Sequence, residues 1–95
     1  LIILSIAERD LLEAQTWYDI QRPGLGAEFR AAINTTFQQM AEQPLQYPLV
    51  HRQLRRAVLR RFPYLIYFRA DSDRIVIMAC LHSKRHPRIA QTRNR

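Results

Sequence analysis

The amino-acid sequence predicts an α+β domain in the order β-α-α-β-β-β, a helical hairpin packed on a curved antiparallel sheet. Three observations carry that reading. Apolar residues recur at helical spacing in two stretches between residues 7 and 42, a Pro- and Gly-containing break separates them, and from Leu54 the apolar period changes to two. The 95 residues are one domain's worth of chain, so a single domain over 1–95 is expected.

The first strand is the short β-prone run Leu1 to Leu4. Ser5, with Glu8 three residues on, reads as a capping box that starts a helix. Ala7, Leu11, Ala14 and Tyr18 then form its apolar stripe, with Trp17 beside them, over about residues 7–20. Arg22-Pro23-Gly24-Leu25-Gly26 cannot continue that helix, because proline removes a donor and two glycines favour a turn. The second helix has the cleanest period, with Leu25, Phe29, Ala32, Ile33, Thr36, Phe37 and Met40 on one stripe that ends before Pro44.

Pro44 to Pro48 reads as irregular, with Tyr47 its large anchor. Leu54 to Arg60 reads as a strand with Ala57 and Leu59 on one face and Arg56, Val58 and Arg60 on the other. Phe62 to Arg69 is the next strand, aromatic and β-branched, with Pro63 tolerated only near its start. Asp71-Ser72-Asp73 supplies turn chemistry, and Arg74 to His82, nearly all apolar, reads as a central strand. The tail, 83–95, is basic and without period, and is expected to be partly ordered, docked by Pro87 and Ile89 at most. The expected core is Leu11, Trp17, Phe29, Ile33, Phe37, Met40, Leu59, Ile66, Phe68, Ile75 and Ile77. The sheet face away from the helices is expected to meet solvent, and the arginine-rich strand and the tail to converge there.

Charge is divided unevenly along the chain. Residues 1–50 hold three basic and six acidic side chains, a net of −3, whereas residues 51–95 hold twelve and two, a net of +10. Fourteen of the fifteen cations are arginine, whose planar fork pairs bidentately with phosphate or carboxylate, so the basic half points to a polyanion or an acidic protein partner. The longest apolar run, Ile75 to Leu81, is too short for a membrane-spanning helix, which needs roughly 20 residues. The lone Cys80 has no partner for an internal disulfide, which fits a reducing cytoplasm, and excludes a Cys-based zinc cluster.

There is no Gly-rich phosphate loop, no HExxH and no GxSxG, so neither metal nor cofactor is expected. Glu8, Asp10 and Glu13 read as a solvated helix face. The chemistry-bearing group is basic and aromatic: Arg52, Arg55, Arg56, Arg60, Arg61, Tyr64, Tyr67, Arg69, Arg74, Lys84, Arg85 and Arg88, with His82 at a strand end. Arginines that neutralise phosphates beside tyrosines that stack on bases suit RNA recognition, and the same arginines suit an acidic protein, with the tyrosines then serving as sheet core.

Several short motifs, in order, resemble one family. They are Ala7-x-x-Asp10-Leu11-x-Glu13-Ala14, then Trp17-Tyr18, Gln21-x-Pro23-Gly24-Leu25-Gly26 and Phe29, then Pro44 and Pro48, then Arg61-Phe62-Pro63-Tyr64-Leu65-Ile66-Tyr67-Phe68, and finally His82-x-x-Arg85-x-Pro87. Together they resemble the RelE/ParE superfamily of type II toxin-antitoxin toxins, and within it the ParE-like branch. The resemblance implies a cytoplasmic bacterial toxin held inactive in a hetero-oligomer by a cognate antitoxin, whose C-terminal segment wraps around it. It also implies one of two activities. RelE-like toxins cut mRNA on the ribosome, with no metal, through basic sheet residues, a strand arginine and a tail tyrosine or histidine, whereas ParE-like toxins poison DNA gyrase. The position matching the strand arginine holds Tyr64 here, and no tyrosine follows His82. These departures favour the gyrase inhibitor. On that reading Arg56, Arg60, Tyr64, Tyr67, His82, Lys84, Arg85 and Arg88 bind target or antitoxin and none is catalytic. On the ribonuclease alternative, Arg60, Arg61, His82 and Arg85 are the catalytic candidates.

Overall fold

In the computed structural model, which describes residues 1–94, two long helices pack on one face of a five-stranded sheet. The chain runs β1 (Ile2–Ile3), α1 (Ser5–Gln21), α2 (Leu25–Glu42), a 3-10 turn (Pro44–Gln46), β2 (Leu49–His51), β3 (Leu54–Val58), β4 (Tyr64–Ala70), β5 (Ile75–His82) and α3 (Arg88–Arg93). Strand order across the sheet is β1-β5-β4-β3-β2.

The expected α+β architecture is present, with a correction to its sheet. β1 runs parallel to β5, so the sheet is mixed rather than antiparallel throughout. A strand of two residues carries no pattern from which its direction can be read, and the direction follows from the helical hairpin returning the chain to the opposite edge. β2 is a further addition, three residues long within a segment that has no period of its own.

The capping box does not form. The α1 helix springs from β1 so directly that Leu4, still extended, takes the N-cap position with no side-chain bond. The Leu4 N–H donates to Ile77 O at 3.1 Å and its carbonyl accepts from Glu8 N at 2.9 Å. The Glu8 side chain turns instead to Arg30 of α2, with Arg30 Nη2 donating to both its oxygens at 2.9 and 3.1 Å. Between the helices, Gly24 has φ +90°, a left-handed conformation that side chains resist. Two residues on, Gly26 is buried where a Cβ would stand 2.5 Å from Gln15 O, and its N–H donates to Asp19 Oδ1 at 2.8 Å. Close approach of α1 and α2 therefore depends on glycine there.

The inner core lies between the helical hairpin and the sheet. It contains Leu11, Phe29, Ile33, Phe37, Met40, Leu59, Ile66, Phe68, Ile75 and Ile77, as expected, together with Tyr18, Phe62 and Cys80. Trp17 is the exception, at 54% exposure. Successive helical residues are turned by about 100°, so with Tyr18 centred on the buried stripe its neighbour must lie on the flank.

The other sheet face is not open to solvent as expected. Leu54, Tyr67, Val76, Met78, Ala79 and Leu81 form a second core there, completed by Ala90 of α3. Facing changes on β5 through a bulge: the register steps from Tyr67 opposite Ala79 to Phe68 opposite Ile77, so Met78 and Ala79 both face outward. The tail is correspondingly a helix over Arg88–Arg93 rather than a loose segment, while Arg95 lies outside the described residues.

Candidate functional site

The hairpin between β3 and β4 and the turn after β5 meet at one end of the sheet. Tyr64 begins β4 opposite His82, which ends β5. Leu59 N–H donates to Tyr64 O at 3.0 Å and Ser83 N–H to Pro63 O at 2.7 Å, so the backbone fastens the two turns together. That end therefore gathers Arg60, Arg61, Tyr64, His82, Lys84 and Arg85 from two separate stretches of the chain, 60–64 and 82–85.

Each of these has a distinct setting. Arg61 donates to Glu28 Oε1 at 2.9 Å, and Arg22 holds the other oxygen of Glu28 at 3.1 Å. The Arg61 hydrogen bond is the main reason the Glu28 carboxyl sits below its ordinary pKa, with burial opposing and the Arg22 charge assisting. Arg61 also lies 5.2 Å from the Phe62 ring centroid. Arg60 is exposed and, among the described residues, makes no ion pair. It borders a groove of about 370 Å³ between α2 and the end of β3, lined by Thr35, Thr36, Gln39, Tyr47 and Val58, the last 65% exposed.

Tyr64 is half-buried on the helix side of the sheet. Its ring stands edge-on to His82 at 5.4 Å, Phe29 at 5.2 Å and Tyr18 at 6.1 Å. Burial, followed by the neighbouring Tyr18 and Cys80, raises its pKa, and Arg85 offsets only part of this. The hydroxyl is therefore held protonated and is a poor base. His82 Nδ1 accepts the Lys84 N–H at 3.1 Å, which leaves Nε2 as its free nitrogen. Arg85 is exposed and shares with Glu13, Trp17, Tyr64 and His82 a cavity of about 240 Å³ between α1 and β5. Cys80 also lines it, but burial, with the Asp10 charge next, pushes its thiol up to about 12, so it is unreactive near neutrality.

Arg56, Tyr67 and Arg88 belong elsewhere. Strand alternation puts Arg56 and Tyr67 on the outer face, opposite one another on β3 and β4. Tyr67 is 1% exposed, a member of the second core, so its ring is not free to stack on a ligand. Arg56 is half-buried with its Nε unpartnered, and Arg88 is exposed at the start of α3.

Two residues gain roles that spacing did not signal. Asp10, expected on a solvated face, accepts from Arg93 Nη1 at 2.6 Å and from the Cys80 N–H at 3.0 Å, while Arg93 Nη1 also reaches Met78 O at 3.2 Å. Since β1 ends at Ile3, opposite Ile77, this pair serves the backbone of β5 just past the point where its parallel neighbour stops. The side chains are only 11% and 15% exposed. Asp10 and Arg93 are 83 residues apart, and only a charge of each sign at the chain's two ends hints at the contact. Trp17, expected in the core, instead has its ring exposed on the wall of the cavity that Arg85 also lines.

Among the described residues, no helix is long and apolar enough to cross a membrane. No curated protein matches the chain. The family model for the ParE toxin of the type II toxin-antitoxin system, parDE, matches residues 1–87, a span that contains both long helices, the whole sheet and the cluster at its end. The chain belongs to the ParE toxin family of type II toxin-antitoxin systems, and its partner is a cognate antitoxin.

Proposed function

We propose that this toxin acts in the cytoplasm on DNA gyrase, by contact rather than by catalysis, through the cluster at the end of the sheet. The observation that carries this reading is the setting of Tyr64. It stands where the resemblance places a nuclease arginine, and it is packed against Tyr18, Phe29 and His82 with its hydroxyl held protonated. What remains accessible around it is Arg60, Lys84, Arg85 and the exposed Trp17, a cationic surface with one large aromatic anchor, which suits a protein partner.

The antitoxin segment is read as acidic and apolar. Its apolar side chains suit the groove between α2 and β3, where Val58 is bare, and its carboxylates suit Arg60 and the other arginines of the C-terminal half, Arg56, Arg85 and Arg88 among them. Binding of that kind stabilises the toxin by mass action.

A ribosome-dependent ribonuclease is the second reading, favoured by the convergence of Arg60, Arg61, His82 and Arg85 at one end of the sheet. Loss of one preorganised charge-stabilising donor costs about 10²- to 10³-fold in oxyanion-type sites, and cations around a phosphoryl group would act by the same principle. The test is purified toxin in two assays. Inhibition of gyrase supercoiling with mRNA left intact on translating ribosomes is expected. Codon-phased mRNA cuts by the wild type, lost in Arg85→Ala, would establish the nuclease instead.

A further inference from the structure

The two-residue loop between β2 and β3, Arg52-Gln53, faces α3 across a third cleft. The cavity, of about 260 Å³, is walled by His51 and Arg52 on one side and by Arg88, Gln91, Thr92 and Asn94 on the other. Residues 88, 91 and 92 share a face of α3 by helical spacing, while Ala90 packs on the sheet and Arg93 reaches Asp10. The short helix thus has one side committed to the fold and another turned to the loop.

Among the described residues, no carboxylate lines this cavity. Arg22, Arg30, Arg61, Arg69, Arg74 and Arg93 each pair with an acid, whereas among the described residues neither Arg52 nor Arg88 makes an ion pair. Two arginines that line one cleft with no counter-charge among the described residues repel each other, an arrangement that an anion between them would relieve. The backbone gives a second, independent sign. Arg52 has φ 51°, the only positive φ at a non-glycine position among the described residues. The first position of a two-residue hairpin loop with positive φ ordinarily takes glycine or asparagine. An arginine held there at a conformational cost is the kind of outlier from which a binding role is inferred.

We propose that the β2–β3 loop and α3 form a phosphate-binding site, with Arg52 and Arg88 clamping the anion from opposite walls. A carboxylate satisfies one guanidinium fork with its two oxygens, but a phosphate group has oxygens for two forks that approach from different directions. The Gln91 amide and the His51 imidazole line the same cleft and supply further polar contacts. The site is separate from the cluster at the other end of the sheet, and Arg88 and Asn94 lie beyond the residues that the family model matches, so it does not rest on the gyrase reading.

The decisive variant is Arg52→Gly, which removes the cation while relieving the backbone. Thermal unfolding of the full chain is followed as inorganic phosphate replaces chloride at constant ionic strength. Wild type and Arg9→Gln, the latter losing an exposed charge on α1, are expected to show the same saturable rise in Tm. Arg52→Gly is expected to match or exceed the wild-type Tm in chloride and to bind phosphate at least tenfold more weakly, with Arg88→Gln showing a similar loss. A short single-stranded oligonucleotide in a parallel titration separates the sources. A matching loss of its affinity in Arg52→Gly identifies a nucleic-acid backbone phosphate, and unchanged affinity identifies free phosphate. No saturable effect of phosphate on the wild type, or an undiminished one in Arg52→Gly, overturns the site.

Discussion

The two faces of the sheet are covered by different physical means. The inner face lies under α1 and α2, 17 and 18 residues long, and is sealed by apolar area: Phe29, Ile33, Phe37 and Met40 against Ile66, Phe68 and Ile77. The outer face has a core of its own, yet its cover is a helix of six residues that buries one alanine and is moored by one ion pair. An isolated helix of that length is unstable in water, so α3 exists because the sheet and Asp10 hold it. The difference teaches that the helical cover contributes most of its stability on the inner face, whereas α3 and the exposed side chains at the sheet end can be altered at smaller cost to the fold.

The sharpest way to break this comparison is to cut into the inner layer. Phe37→Ala or Phe29→Ala is expected to cost about 3–5 kcal/mol and to lower Tm by more than about 10 °C. An unchanged melting temperature for either would contradict the inner layer's role as the seat of stability. Next in size is Asp10→Ala, which strands the Arg93 guanidinium and the Cys80 N–H. Its expected cost is about 1.5–3 kcal/mol, the range for hydrogen bonds to charged groups. Hydrogen exchange is the informative readout: the Cys80 amide and the α3 amides should lose protection while those around Phe37 keep it.

Arg85→Ala probes the sheet end. Arg85 is exposed, so stability should change by no more than about 0.5 kcal/mol, while growth arrest on induced expression should be weakened. Loss of toxicity together with loss of fold would return Arg85 to a structural role. The smallest effect belongs to Glu28→Gln. The Glu28 carboxyl is held below its ordinary value of 4.5, chiefly by the Arg61 hydrogen bond. Its contribution to stability is therefore present above that value and lost as the pH falls through the lowered one. The variant should flatten the acid side of the stability curve slightly, near and below pH 4.5, and leave neutral pH almost unchanged. Acid curves that superimpose would show that the Arg22–Glu28–Arg61 group is solvated and idle.

Periodicity located both long helices and the three longer strands because each buries a face over many residues, and repetition is what a pattern needs. The β-prone composition of Leu1 to Leu4 marked β1, whose parallel direction two residues cannot reveal, while β2 and α3 are too short to carry a period. Composition marked the basic half, and the ordered motifs carried the family. The candidate residues were legible as a set, but their division was not. Tyr64 and His82 fall on the helix side, Arg56 and Tyr67 on the outer side, and Tyr67 is core.

The sequence by itself determined the α+β class, the inner core apart from Trp17, and the crowding of arginine into the second half, since these follow from local spacing and composition. Tertiary structure alone decided the parallel edge of the sheet, the bulge that turns Met78 and Ala79 to one face, and the junction of Asp10 with Arg93. It also decided which arginines are neutralised and which, among the described residues, line one cleft without an ion pair, as Arg52 and Arg88 do. The physical reason is that a charge meets its partner across space, and no interval along the chain records the distance between residues that only folding brings together.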